Sequence, residues 1–204
     1  DGAAVRVSII GFDNLSQSTR TLDDRSVVRI NTDLTDFIDS SKAERIPENN
    51  GLCYMGASPK APFDIEPSLA RNYLMLPLND NGRPNSDVIR PVISGIDIVQ
   101  RPRGLWTIDF GMMIYEEAEQ YVGPFEYVKS NVYPIRSQNR RASYAQKWWQ
   151  YAEARPGMRK ALEGKSRFIA TPEVAKHRVF QWIGSEALCN QQTLVFARDD
   201  DYFF

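Results

Sequence analysis

The chain has 204 residues and a mass of 23.3 kDa, with 42% hydrophobic and 25% charged residues, an ordinary globular balance that buries a core without disulfide or metal staples. Its single histidine and two distant cysteines, Cys53 and Cys189, fit no C-x-x-C spacing, which excludes paired-histidine zinc centres, zinc fingers and a disulfide scaffold. No apolar run nears the ~20 residues that cross a bilayer and no secretory signal opens the chain, so the expected setting is a reducing cytoplasm without a membrane partner.

In chain order, residues 3–12 and 26–30 are predicted strands, separated by a polar loop over 14–24. Residues 40–45 suit a short helix and 52–55 a short strand. Over 66–76 the apolar positions Leu69, Ala70, Tyr73 and Leu74 form an amphipathic stripe; Pro67 suits the first turn and Pro77 stops the helix. Residues 79–85 are a turn cluster. Residues 88–94 and 96–99 flank Gly95, after which Trp106, Ile108 and Phe110 alternate as on a strand. Helices are predicted over 115–121, 124–133, 143–154 and 156–162, the last with Pro156 at its start and Gly164 beyond its end. Strands over 167–171, 178–183 and 193–197 close the chain. The expected class is mixed α/β (α+β), a twisted, mostly antiparallel sheet with peripheral helices. The strand-like start and the apolar end, Tyr202-Phe203-Phe204, suggest a piece of a larger protein.

The formal net charge of −1 conceals a segregation. Between Lys129 and Arg178 stand twelve Lys and Arg against three acids, Glu153, Glu163 and Glu173, a local net of +9; the remainder carries thirteen basic and twenty-three acidic residues, a net of −10. An anionic polymer would be drawn to the first part and turned away from the rest.

Catalytic signatures are missing. There is no G-x-G-x-x-G, no P-loop and no G-x-S-x-G elbow. The acid–lysine pairs Glu126/Lys129 and Glu173/Lys176 have the spacing of helix-surface ion pairs rather than a nuclease centre. The run Asp199-Asp200-Asp201 fits a solvated turn better than a metal site. No catalytic or metal-binding residue is assigned.

Several long strings resemble the target-recognition region of MmeI-like (type IIL and IIG) restriction–modification DNA adenine methyltransferases. They are Asn85-Ser86-Asp87-Val88-Ile89-Arg90-Pro91, Gly95-Ile96-Asp97-Ile98 and Arg101-Pro102-Arg103-Gly104-Leu105-Trp106-Thr107-Ile108-Asp109-Phe110-Gly111. The likeness continues through Pro124-Phe125-Glu126-Tyr127-Val128, Asn139-Arg140-Arg141-Ala142, Lys147-Trp148-Trp149 and residues 169–178, to residues 197–204. The opening residues 1–9 are similar to the stretch that follows the methyltransferase core in that family. The resemblance implies an optional nuclease, then a domain that methylates the adenine amine from S-adenosylmethionine, then a domain that reads DNA. The family's Asn-Pro-Pro-Tyr motif and cofactor loop are absent from this chain. It is therefore expected to bind no cofactor itself, S-adenosylmethionine belonging to the parent protein. Residues 1–30 would be terminal strands of the methyltransferase domain or a linker to it, and 31–204 a recognition domain truncated at its C-terminus. Its partners would be double-stranded DNA and the methyltransferase domain of the same polypeptide.

Phosphate contacts are expected from Arg140, Arg141, Lys147, Arg155, Arg159 and Lys160, which lie on polar helical or loop segments. Base contacts are expected from Glu173, Lys176, His177 and Arg178, with Arg167 nearby, because Arg and Lys match guanine O6 and N7 and Glu accepts from cytosine N4. The resemblance also places specificity-setting positions in this segment. Trp148 and Trp149 are adjacent; on a helix they would point about 100° apart, which predicts one in the core and one at an interface. Two other readings stay open: a divergent nuclease or methyltransferase domain with its own activity, and a basic scaffold for RNA or an acidic protein.

Overall fold

The computed structural model describes residues 7–14 and 16–203. The chain divides into two units, Asp1–Glu48 and Asn49–Phe204. In the first, β1 (Arg20–Leu22) pairs antiparallel with β2 (Arg25–Val27). The connecting Asp23 and Asp24 have φ of 48° and 62°, the left-handed pair that a two-residue hairpin turn requires and that Asp tolerates. This hairpin falls largely within the stretch expected to be loop, because three-residue strands are too short to show an alternating pattern. Residues 7–12 form no strand and Val7, Ile9 and Phe12 are exposed; the start of that predicted strand lies outside the described residues. Residues Ser40–Lys42 form a 3-10 turn.

The second unit begins with β3 (Cys53–Met55) and β4 (Asp64–Ile65). Helix α1 (Pro67–Leu74) starts at its proline as expected and buries Ala70. Strand β5 (Ile89–Ile93) leads into α2 (Gly95–Val99), so the apolar residues beyond Gly95 coil rather than extend. The cause is local: Asp97 accepts from the Ser94 N–H (2.9 Å) and hydroxyl (2.6 Å), capping a helix start. Strand β6 (Trp106–Ile108) and the helices α3 (Tyr115–Ala118), α4 (Val122–Asn131), α5 (Tyr133–Arg136), α6 (Ala142–Gln146) and α7 (Pro156–Leu162) follow. Strands β7 (Arg167–Pro172), β8 (Gln181–Gly184), β9 (Leu188–Cys189) and β10 (Thr193–Phe196) complete the unit.

Two four-stranded sheets result. One runs β3-β10-β7-β8, antiparallel throughout; the other runs β4-β6-β5-β9, antiparallel except for the parallel pair β5–β9. The fold is thus mixed α/β, with largely antiparallel sheets and helices beside them. The close approach of the chain at Gly56 explains its glycine, since a Cβ there would lie 2.1 Å from the Asn190 carbonyl oxygen.

An aromatic cluster holds the helical layer together. Tyr115 and Trp149 meet edge-on at 5.3 Å, and Trp148 lies 5.1 Å from Tyr133 and 5.4 Å from Phe125. Both tryptophans are buried, at 8% and 9% exposure, and the Trp149 indole donates to the Met113 carbonyl (3.0 Å). The expected split between core and interface is corrected here. Helix α6 ends at Gln146 and residues 147–149 are turn, so the helical 100° step does not apply to the pair.

Candidate nucleic-acid interface

The basic stretch is less basic in the fold than along the chain. Among the described residues, five of its twelve cations form ion pairs: Lys129 with Glu126, Arg155 with Glu153, Arg159 with Asp109, Lys165 with Asp199 and Arg167 with Asp201. Of these acids only Glu153 belongs to the stretch itself. The chain folds acidic residues from elsewhere against the block, and the sequence charge sum counted them as remote.

Arg159 shows this best. Its two terminal nitrogens donate to the two oxygens of Asp109, both at 2.8 Å, and its Nε donates to the Ala154 carbonyl at 2.6 Å. The Asp109 side chain is 2% exposed and that of Arg159 18%. Burial works against the Arg159 charge, but the Asp109 charge and hydrogen bonds outweigh it and raise its pKa above the usual arginine value. Arg159 therefore fixes α7 to the end of β6 and is not available to a phosphate in this arrangement. Arg155, at φ 57°, is likewise engaged by Glu153 and by the Gly56 carbonyl (3.2 Å). Arg90 and Arg103, outside the stretch, also turn inward: Arg90 donates to the Ser185 and Glu186 carbonyls, and Arg103 to Asp97.

Arg140, Arg141, Lys147, Lys160 and Lys176 are exposed, and among the described residues none has an ion pair with an acid. Arg140 and Arg141 sit on the turn between α5 and α6, which Asn139 shapes by accepting from the Arg141 N–H at 2.9 Å. Arg141 also donates to the Tyr144 hydroxyl at 2.9 Å. The exposed connection between β7 and β8 carries Glu173, Lys176, His177 and Arg178. It is anchored at its base, where the Glu173 N–H donates to the Gln192 carbonyl (2.8 Å) and Arg178 donates to the Pro172 carbonyl (2.5 Å). Arg167 lies apart from that exposed group. Its guanidinium stacks 4.0 Å from the Trp182 ring centroid and reaches Asp201 and the Asp199 carbonyl.

One residue of this region escapes a charge-based reading. Arg136, at the end of α5, is 1% exposed. It continues the buried stripe of Phe125, Val128 and Val132 at helical spacing. A cation in register with a core stripe is the sequence signal that would have found it. Its Nη2 donates to the Pro59 carbonyl, while Nε and Nη1 are buried with no hydrogen-bond partner. Burial lowers its pKa, with no carboxylate to offset this; the Tyr144 ring, 5.1 Å from its guanidinium carbon, is the group that favours its charge.

Among the described residues, no group of three or more His, Cys, Asp or Glu side chains is placed to hold a metal ion. Also among them, no helix is long and apolar enough to cross a membrane. No protein-family model matches the chain, and no curated protein matches it. A solved structure does: that of the type IIL restriction–modification enzyme MmeI in complex with DNA superposes with a TM-score of 0.53 at 9% sequence identity, over 84% of this chain and 23% of that one. The likeness is one of fold, with a part of a much longer protein.

Proposed function

We propose that the chain is the DNA-recognition module of a site-specific, S-adenosylmethionine-dependent DNA adenine methyltransferase or restriction–modification enzyme. In this reading it places the duplex for a catalytic domain that carries the methyl-transfer chemistry and the cofactor. The observation that carries it is the stretch 136–147, which holds four cations and no acid and exposes Arg140, Arg141 and Lys147 without acidic partners among the described residues. The fold likeness to a protein solved in complex with DNA supports the same reading.

Arg140, Arg141, Lys147 and Lys160 then hold the sugar-phosphate backbone and set register, and the β7–β8 connection supplies base contacts through Lys176, His177, Glu173 and Arg178. Neutralising phosphates releases counterions, so affinity falls with log salt at a slope of about −0.9 per contact. Binding of this chain to duplex DNA across a salt series tests the reading. The double variant Arg141→Ala/Lys147→Ala is expected to reduce the slope by about two. Lys165→Ala, whose ammonium already pairs with Asp199 at 3.0 Å, is expected to leave it nearly unchanged. Salt-independent binding, or equal effects from both variants, overturns the assignment.

A further inference from the structure

We propose that the cavity between α5 and α6 is a phosphate site, with Arg136 as its buried donor and Lys147 at its mouth. The cavity has a volume of about 210 Å³ and is lined by Arg136, Ser143, Tyr144, Lys147 and Gln150 among others, with no carboxylate in its wall. At roughly 30 Å³ per water-sized group, it has room for a tetrahedral oxyanion.

Arg136 supplies the specific element. A guanidinium offers its donors in one plane, in a fork that matches the oxygens of a phosphate. One of its nitrogens is held by the Pro59 carbonyl, and the Tyr144 ring covers its face. That leaves the edge, Nε and Nη1, which are buried and unpartnered. Tyr144 is approached by two cations, the second being Arg141 on the turn before α6, whose guanidinium carbon lies 5.3 Å from its ring centroid. Its hydroxyl oxygen accepts from Arg141, so its proton remains to be donated. An oxyanion would satisfy donors that the folded chain leaves unsatisfied, and would supply the negative charge that Arg136 lacks.

The site rests on the DNA reading only for the source of the phosphate, a strand backbone or a free anion. The experiment uses the whole chain and inorganic phosphate against chloride at constant ionic strength. Binding is read by 31P line broadening and by the shift in melting temperature. Wild type is expected to bind phosphate saturably. Arg136→Met is expected to weaken it about ten- to a hundredfold, and Lys147→Ala, a surface change that leaves the fold intact, to weaken it less. Arg136→Lys keeps the charge without the fork and is expected to resemble Arg136→Met.

A second arm distinguishes the sources. If a strand phosphate fills the site, Arg136→Met lowers the DNA salt slope by about one and free phosphate competes with DNA. Arg136-dependent phosphate binding by a chain that does not bind DNA upholds the site and overturns the DNA source. Duplex binding that Arg136→Met leaves unchanged, together with phosphate binding that neither Arg136→Met nor Lys147→Ala weakens, overturns the site and leaves the DNA reading standing.

Discussion

Two guanidiniums beside helices, Arg136 buried and Arg159 largely so, differ in what faces them. Arg159 meets both oxygens of Asp109, whereas Arg136 meets one backbone carbonyl and an aromatic ring. Burial lowers the pKa of both, and only Arg159 has a carboxylate that reverses the direction. A buried cation with a matched anion is part of the scaffold. A buried cation without one is a charge awaiting a partner, and the Arg136 side chain stands in the wall of a cavity.

The largest effect is expected from breaking the matched pair. Asp109→Asn leaves the largely buried Arg159 charge without its carboxylate, at a cost of about 3–5 kcal/mol in denaturant unfolding. The double variant Asp109→Asn/Arg159→Met removes both charges and is expected to recover much of that loss. If Asp109→Asn costs less than about 1 kcal/mol, within the range of an exposed pair, the contrast between the two arginines fails.

Asp97 lies between these extremes. Its side chain is 2% exposed, while its partner Arg103 is 42% exposed. Burial pushes its carboxyl pKa up, but hydrogen bonds from the Arg103 and Ser94 side chains and backbone outweigh this and hold it well below the usual carboxylate range. A depressed folded-state pKa means that stability is present above the unfolded value of about 3.9 and is lost as pH falls through the folded value. Unfolding followed by pH should therefore show a decline below about pH 4 that Asp97→Asn flattens. An unchanged decline in the variant would place the acid sensitivity on other carboxylates.

The sequence made the regular elements legible where periodicity or proline punctuation was strong. Residues 156–162 match α7 end to end, and Pro67 opens α1. It failed for β4 and β9, two residues each, which carry no period to detect. Residues 143–154 were expected to be one helix, yet α6 stops at Gln146 and the chain turns to bury both tryptophans. The candidate site was legible only as a charge block. Which cations are neutralised depends on long-range contacts such as Arg159 with Asp109 and Lys165 with Asp199, and no local pattern records those. Arg136 was readable in principle, as a cation in the register of Phe125, Val128 and Val132.

The smallest effect on stability is expected from Arg136→Met, measured by denaturant unfolding at neutral pH without phosphate. The substitution removes the hydrogen bond to the Pro59 carbonyl and the contact with Tyr144, worth about 2–4 kcal/mol together. It also removes two unsatisfied donors of a desolvated cation, at about 1–3 kcal/mol each. Methionine fills most of the vacated volume with an unbranched apolar chain. The opposing terms are of similar size, so the net change should lie within about 1 kcal/mol of zero, against the 3–5 kcal/mol expected at Asp109. A loss of that larger size at Arg136 would make it a structural prop like Arg159. A near-zero change, coupled to loss of phosphate binding, would separate the two arginines by role: one completes the fold, and the other is completed by what the fold binds.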